Sequence, residues 1–272
     1  MTGIVLFKTA LTVYLVCAVV YAASLWVRRV LTARVATWLM LVALVIHTFS
    51  FASRWYTNGV SPAVGLHDAL SFFAWVMAAA YLALQLKTKT RILGAFVSPV
   101  ICLMMVVASV ELGGAVGAPA ALQGSLVMFH VIFSVTGEAL FALASCAGLM
   151  YLIQDGLIKR KKEGGLIRLL PSLRDLDRIN NICLSWGFTL LTFGILAGSG
   201  WARIVWGSHW QWDPKQVWTL LAWGLYALLL HQRLVVGWQG RKAALWSLIV
   251  LVFLIALLIF RKLFFQTIHS FV

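Results

Sequence analysis

Acidic residues are scarce in this sequence: 8 Asp and Glu stand against 22 Lys and Arg in 272 residues, and charged residues of all kinds make up 11%. With 62% of residues hydrophobic, the chain has too little polar surface for an ordinary soluble domain of this size. Proline is rare, at 5 residues, and only Pro99 falls inside one of the long apolar stretches. The 4 cysteines, Cys17, Cys102, Cys146 and Cys183, form no C-x-x-C pair. That argues against a zinc site or a thioredoxin-like dithiol and leaves them as small apolar fillers. Neither a G-x-x-x-x-G-K phosphate loop nor a dinucleotide fingerprint occurs, so a nucleotide-driven engine has no support here. The alternation expected of a lumen-lining strand is missing, which argues against a β-barrel. There is no internal repeat and no low-complexity tract.

What is present is a series of apolar runs about 20 residues long, the length that spans a bilayer. Eight are expected, over 4–26, 35–53, 66–86, 92–110, 126–153, 180–200, 215–236 and 243–262. The chain therefore reads as an all-α integral membrane protein, a single polytopic domain over 1–272. Its charge of +14 would suit nucleic acid, but the basic residues fall in the wrong pattern for that. Sixteen of the 22 lie in alternate connections: Arg28, Arg29 and Arg34; Lys87, Lys89 and Arg91; the run from Lys159 to Arg178; and Arg233, Arg241 and Lys242. By the positive-inside rule these face the cytoplasm, and both termini face outward. Segment 1 is too long for a signal-peptide core and is followed by arginines, so it reads as a retained helix. The basic connection 154–179 is expected on the cytoplasmic side, with room for a short amphipathic helix on anionic lipid. The outer connections are 54–65, the Gly/Ala-rich 111–125, which reads as a flexible loop or a lid, and 201–214.

The last of these is unusual. Trp201, Trp206, Trp210, Trp212, Trp218 and Trp223 are six of the 13 tryptophans, within 23 residues. An interfacial aromatic belt would spread such residues over many helices and both interfaces. Gly198, Gly200 and Gly207 let backbone approach a ligand closely. Asp213 followed by Pro214 reads as an N-cap and first helical residue. Clustered indoles suit a large, flat, apolar ligand with a polar edge, such as a porphyrin, whose iron takes axial histidines. The 6 histidines are His47, His67, His130, His209, His231 and His269. Glu138, inside the fifth segment, is a carboxylate that calls for a partner, a bound proton or a relay role.

The stretch "WGSHWQWDPKQVW" closely resembles the WWD motif, W-G-x-x-W-x-W-D-P-K-E-x-W, of haem-handling cytochrome c assembly proteins. With eight helices, the chain looks like the CcsA/ResC branch. "MFHVIFSVTGEALFALASCAGLMYL" resembles the segment with the external histidine, giving His130. "TIHSFV" resembles the terminal L-H-S-Y, giving His269, and "LLLHQRL" resembles the later intramembrane segment, giving His231. "RWYTNGVSPAVGLHDALSFFAW" loosely resembles a further family stretch. The resemblance implies haem b held by His130 and His269 as axial ligands through the iron. Trp206, Gly207, Trp210, Trp212, Asp213 and Trp218 would form the platform, with Arg203, Lys215 or Arg54 near the propionates. It implies outward presentation of haem to an apocytochrome c bearing C-x-x-C-H, in a synthase complex with a CcsB/ResB-type subunit, in a bacterial cytoplasmic membrane.

The sequence departs from the family pattern at several points. Gln216 stands for Glu, His67-Asp68-Ala69 for Tyr-Glu-Ser, and Arg261-Lys262 where neutral residues are usual. His209 is an extra histidine that competes as a ligand. A His47–His231 intramembrane haem site is a further expectation, against which straight helices place the two at different depths. Two other readings stay open: a HemX-type protein that modulates haem synthesis or supply, and a membrane b-type electron carrier.

Overall fold

The computed structural model describes residues 2–27, 29–58, 66–88, 90–110, 124–161 and 170–264. Among the described residues there are eight α-helices and no strands. They are α1 (Thr2–Val27), α2 (Val30–Asn58), α3 (Leu66–Lys87), α4 (Gly94–Val110), α5 (Ser125–Lys159), α6 (Leu173–Trp206), α7 (Pro214–Leu234) and α8 (Arg241–Phe264), with one 3-10 turn at Arg91–Leu93 before α4. Helices α1 to α6 are long and apolar enough to cross a membrane. Only 22% of the most apolar window of α1 and 28% of that of α6 is buried. Apolar side chains such as Trp26, Trp38, Trp186 and Leu196 instead cover the outside, the surface a helix bundle offers to lipid.

Three expected connections are shorter than the sequence suggests. Helix α5 continues to Lys159 and α6 begins at Leu173, so the basic connection 154–179 contracts to 160–172, of which 162–169, with the expected amphipathic helix, lie outside the described residues. The N-terminus of α6 is fixed by Ser172, whose hydroxyl accepts from Asp175 N at 3.1 Å. At the other end α6 runs through Gly198 and Gly200 to Trp206, so the loop placed at 201–214 contracts to 207–213. The last turns of α6 hold because Trp201 and Ala202 pack on Val127 in the first turn of α5. Helix α2 likewise continues to Asn58. Residues 59–65 of the 54–65 connection and 111–123 of the 111–125 connection lie outside the described residues.

Consecutive helices run antiparallel. Ser50, late in α2, donates to Gly3 O, early in α1, at 2.9 Å. His67, early in α3, bonds to Ala108 O, late in α4, at 2.7 Å. Trp223 Nε1 in α7 donates to Thr192 in α6 at 2.9 Å. The starts of α1, α3, α5 and α7 and the ends of α2, α4, α6 and α8 thus gather at one end of the bundle.

The seams interleave small residues with larger, mostly aromatic ones. On α1 the buried positions are Gly3, Phe7, Ala10, Tyr14, Cys17, Tyr21 and Ser24. On α2 they are Ala33, Ala36, Met40, Ala43, His47 and Ser50. Both follow a heptad, the spacing of a continuous helix–helix seam, and in lipid small residues let backbones approach. The most extensive pair is α5 with α6. There a Cβ on Gly137 would stand 2.8 Å from Gly187 O and 3.0 Å from Leu191 N. All four cysteines are buried free thiols, in keeping with their reading as fillers.

The opposite end is tied by one polar network. Arg233 of α7, 6% exposed, meets Asp177 at 2.7 Å, Asn181 Oδ1 at 2.7 Å and Asn180 Oδ1 at 3.1 Å. Asn180 Nδ2 in turn donates to Ala144 O at 2.7 Å and to Ser247 Oγ at 3.0 Å. Four helices are therefore joined through hydrogen-bonded groups, the condition under which a charge is tolerated inside.

Candidate functional site

His130 lies in the second turn of α5, beside α6. Its Nδ1 is 2.8 Å from Gly194 O. A carbonyl only accepts, so Nδ1 carries the proton and Nε2 keeps its lone pair. This is how second-shell bonds orient a ligating imidazole. Gly198, one turn further along α6, makes the approach possible: a Cβ there would stand 2.5 Å from His130 Nδ1 and 2.9 Å from Cε1. The need for glycine at 198 is thus close approach to an imidazole, inside a helix and not in a loop.

The loop after α6 is set by its backbone. Gly207 closes the helix at φ 74°, its N–H bonded to Arg203 O at 3.0 Å. Nothing lies within 4 Å of a Cβ placed there, so conformation and not crowding selects glycine. Trp212 holds φ 54°, an uncommon state for a large side chain, and its indole is 78% exposed. Trp210 meets it edge to face at 5.5 Å, and Trp201 meets Trp206 likewise at 4.9 Å. Asp213 is buried and accepts from Lys215 N at 2.9 Å, with Pro214 following, so α7 begins with the expected cap. Gln216, in place of the usual Glu, accepts from Gln211 N at 2.9 Å and braces the loop. Trp218 is half-buried in the first turns of α7.

His209 is used by the loop itself. Its Nδ1 meets Ser199 O at 3.1 Å, and its Nε2 accepts from Arg203 Nη1 at 3.1 Å. With both ring nitrogens engaged it offers no lone pair to a ligand, and one Arg203 nitrogen is committed to it. Lys215 is exposed at the start of α7, within electrostatic reach of His130 and Glu138. Glu138 is exposed on α5, two turns beyond His130.

The other sequence-predicted residues lie elsewhere or cannot be placed. His269 falls outside the described residues. His231 is exposed near the C-terminus of α7. His47 is fully buried, stacked on Phe51 at 4.8 Å, edge-on to Phe7 and Tyr14, with Nε2 2.8 Å from Ser71 Oγ. Arg54 pairs with Asp68 at 2.9 Å. His47, His67, Asp68 and Arg54 form a cluster of their own on α2 and α3. The sequence separates its members too widely to reveal it without the antiparallel α2–α3 packing.

The tryptophan-loop end meets one requirement of a porphyrin: His130 presents an oriented nitrogen with a lone pair. The Trp210 Nε1 donor is buried without a hydrogen-bond partner among the described residues.

Fold and site together define a polytopic α-helical membrane protein with an aromatic, histidine-bearing face at one end of its bundle. Residues 63–269 match the model of the family described as cytochrome C assembly protein, and the chain belongs to that family. It is 31% identical over 251 residues, 78% of this chain and 79% of the relative, to "Cytochrome c biogenesis protein CcsA" of Pyropia yezoensis. It is 32% identical over 235 residues, 74% and 73% respectively, to the protein of that name from Heterosigma akashiwo (strain NIES-293 / 8280G21-1). Its role is accordingly in cytochrome c biogenesis.

Proposed function

We propose that this protein binds haem b at the tryptophan-loop end and presents it at the outer face of the membrane for attachment to apocytochrome c. The observation that carries this reading is His130, whose Nδ1 is tied to Gly194 O at 2.8 Å so that Nε2 can ligate iron. His269 would supply a second nitrogen to the iron. Trp206, Trp210, Trp212 and Trp218 would hold the porphyrin by aromatic contact, Asp213 fixes the start of α7, and Lys215 would pair with a propionate. The thioether chemistry belongs to haem, whose vinyl groups take up the thiols of a C-x-x-C-H segment. This chain ligates, orients and shields. It works with a CcsB/ResB-type membrane subunit. All eight helices span the bilayer, with both termini outside, in the cytoplasmic membrane of a bacterium.

The reading is supported by the placement of the tryptophan loop and His130 at the bundle end away from the cationic connections. Co-expression with a CcsB/ResB-type subunit and a C-x-x-C-H reporter tests it. Covalent haem on the reporter, lost with His130→Ala, is the expected result. Haem supply without any reporter maturation would instead favour a HemX-type role.

A further inference from the structure

The bundle holds a second set of buried polar groups, in α1–α3, apart from the His130 end of α5 and α6. His47 is 0% exposed and Tyr14 1% exposed. Their rings meet edge to face with centroids 5.8 Å apart. His47 Nε2 is satisfied by Ser71 Oγ at 2.8 Å, but His47 Nδ1 and the Tyr14 hydroxyl have no hydrogen-bond partner among the described residues. Native interiors pair such groups, and an orphan carries its full desolvation cost. Two orphans on neighbouring rings call for a shared partner, and water is one that can satisfy both where it finds two or more polar groups.

The two sides of the pair differ in polarity. Toward the tryptophan-loop end lie His67, which packs on Phe7 at 4.8 Å as His47 does at 6.2 Å, and Asp68, 4.0 Å from His67 Nε2. Asp68 is paired with Arg54, and their side chains are 13% and 18% exposed. In the other direction stand Cys17, Met40 and Met77, all 0% exposed. The groups that face the pair are therefore Tyr14 and Cys17 from α1, Arg54 from α2, His67 and Asp68 from α3, and Cys102 from α4, whose thiol donates to Tyr14 O at 3.3 Å. We propose that water is bound between the Tyr14 hydroxyl and His47 Nδ1, making an intramembrane proton-exchange site that opens toward the tryptophan-loop end past His67 and Asp68. The exchange balances at one atom: a proton passed from the water to His47 Nδ1 returns from Nδ1 to that water, and the hydrogen bond to Ser71 is unchanged.

The test uses the full chain in lipid nanodiscs with ¹⁵N-histidine, His47 being assigned by its loss in His47→Gln. Magnetisation transfer from water to the His47 nitrogens in solid-state spectra is expected in the wild type and is lost in Tyr14→Phe. Exchange with D₂O at His47 slows about tenfold or more in Asp68→Asn, with the His130 signal unchanged. A wild type without water transfer at His47 overturns the bound water, and needs no variant to fold. Transfer that survives Tyr14→Phe, or exchange indifferent to Asp68→Asn, overturns the assignment of partner and route. None of these outcomes depends on haem.

Discussion

Replacing Gly198 with alanine perturbs His130 without touching its chemistry. The new methyl carbon would stand 2.5 Å from Nδ1, closer than any real contact, so the imidazole must turn away and release Gly194 O. Losing that bond costs about 1 kcal/mol, and crowding the seam costs about 1–3 kcal/mol. Relief of glycine's helix penalty returns about 1 kcal/mol, so the net destabilisation is about 1–3 kcal/mol. An effect of similar size falls on the ligand: an unoriented histidine binds metal about 10–100-fold more weakly. Gly200→Ala is the matched control, because its nearest neighbour is Leu126 Cδ1 at 3.7 Å, an ordinary contact. Haem titration followed by tryptophan fluorescence, beside thermal unfolding in detergent, reads both quantities. Wild-type haem affinity in Gly198→Ala, or equal behaviour of the two variants, would refute the argument that Gly194 and Gly198 set the histidine.

Three further outcomes follow from the same geometry. Arg233→Met strips the partner from Asp177, Asn180 and Asn181 and is expected to cost about 3 kcal/mol, discounted for the partial exposure of Asp177, seen as a lowered unfolding temperature. Asp213→Ala removes the cap of α7 and costs about 1 kcal/mol, whereas Asp213→Ser restores most of it; the pair is compared by denaturant unfolding. Gly137→Ala meets backbone atoms of α6 that cannot move aside, so about 1–3 kcal/mol is lost, while Gly156→Ala, with open space around it, is neutral or stabilising in the same melt.

The helices were legible because apolar runs of spanning length need no tertiary information, and because Asp213-Pro214 carries its own capping chemistry. The helix ends were less so. Trp201 and Ala202 looked like loop residues from composition, and only their packing on Val127 shows that α6 continues. The seams were hidden for a different reason. In a membrane an apolar face also meets lipid, so the buried stripe of α1 interleaves small residues with Phe7, Tyr14 and Tyr21, and the heptad from Gly3 to Ser24 gives no hydrophobic signal. That stripe was open to a search for small residues at seven-residue spacing. At the candidate site the motif pointed to the tryptophans, but the opposed settings of His130 and His209 rest on Gly194, Ser199 and Arg203. No local pattern assigns those partners. His67-Asp68, which looked like a departure from a family stretch, is an ion-paired corner whose meaning lies in Arg54 and Ala108 O.

The most direct measurement is the absorption spectrum of the purified, detergent-solubilised protein, wild type beside His130→Ala and the His130→Ala/His269→Ala double variant. A reduced bis-histidine haem spectrum in the wild type, weakened in the single variant and lost in the double, is the predicted result. A haem-free wild type, or a spectrum indifferent to both changes, would contradict the assignment of the tryptophan-loop end as the haem site.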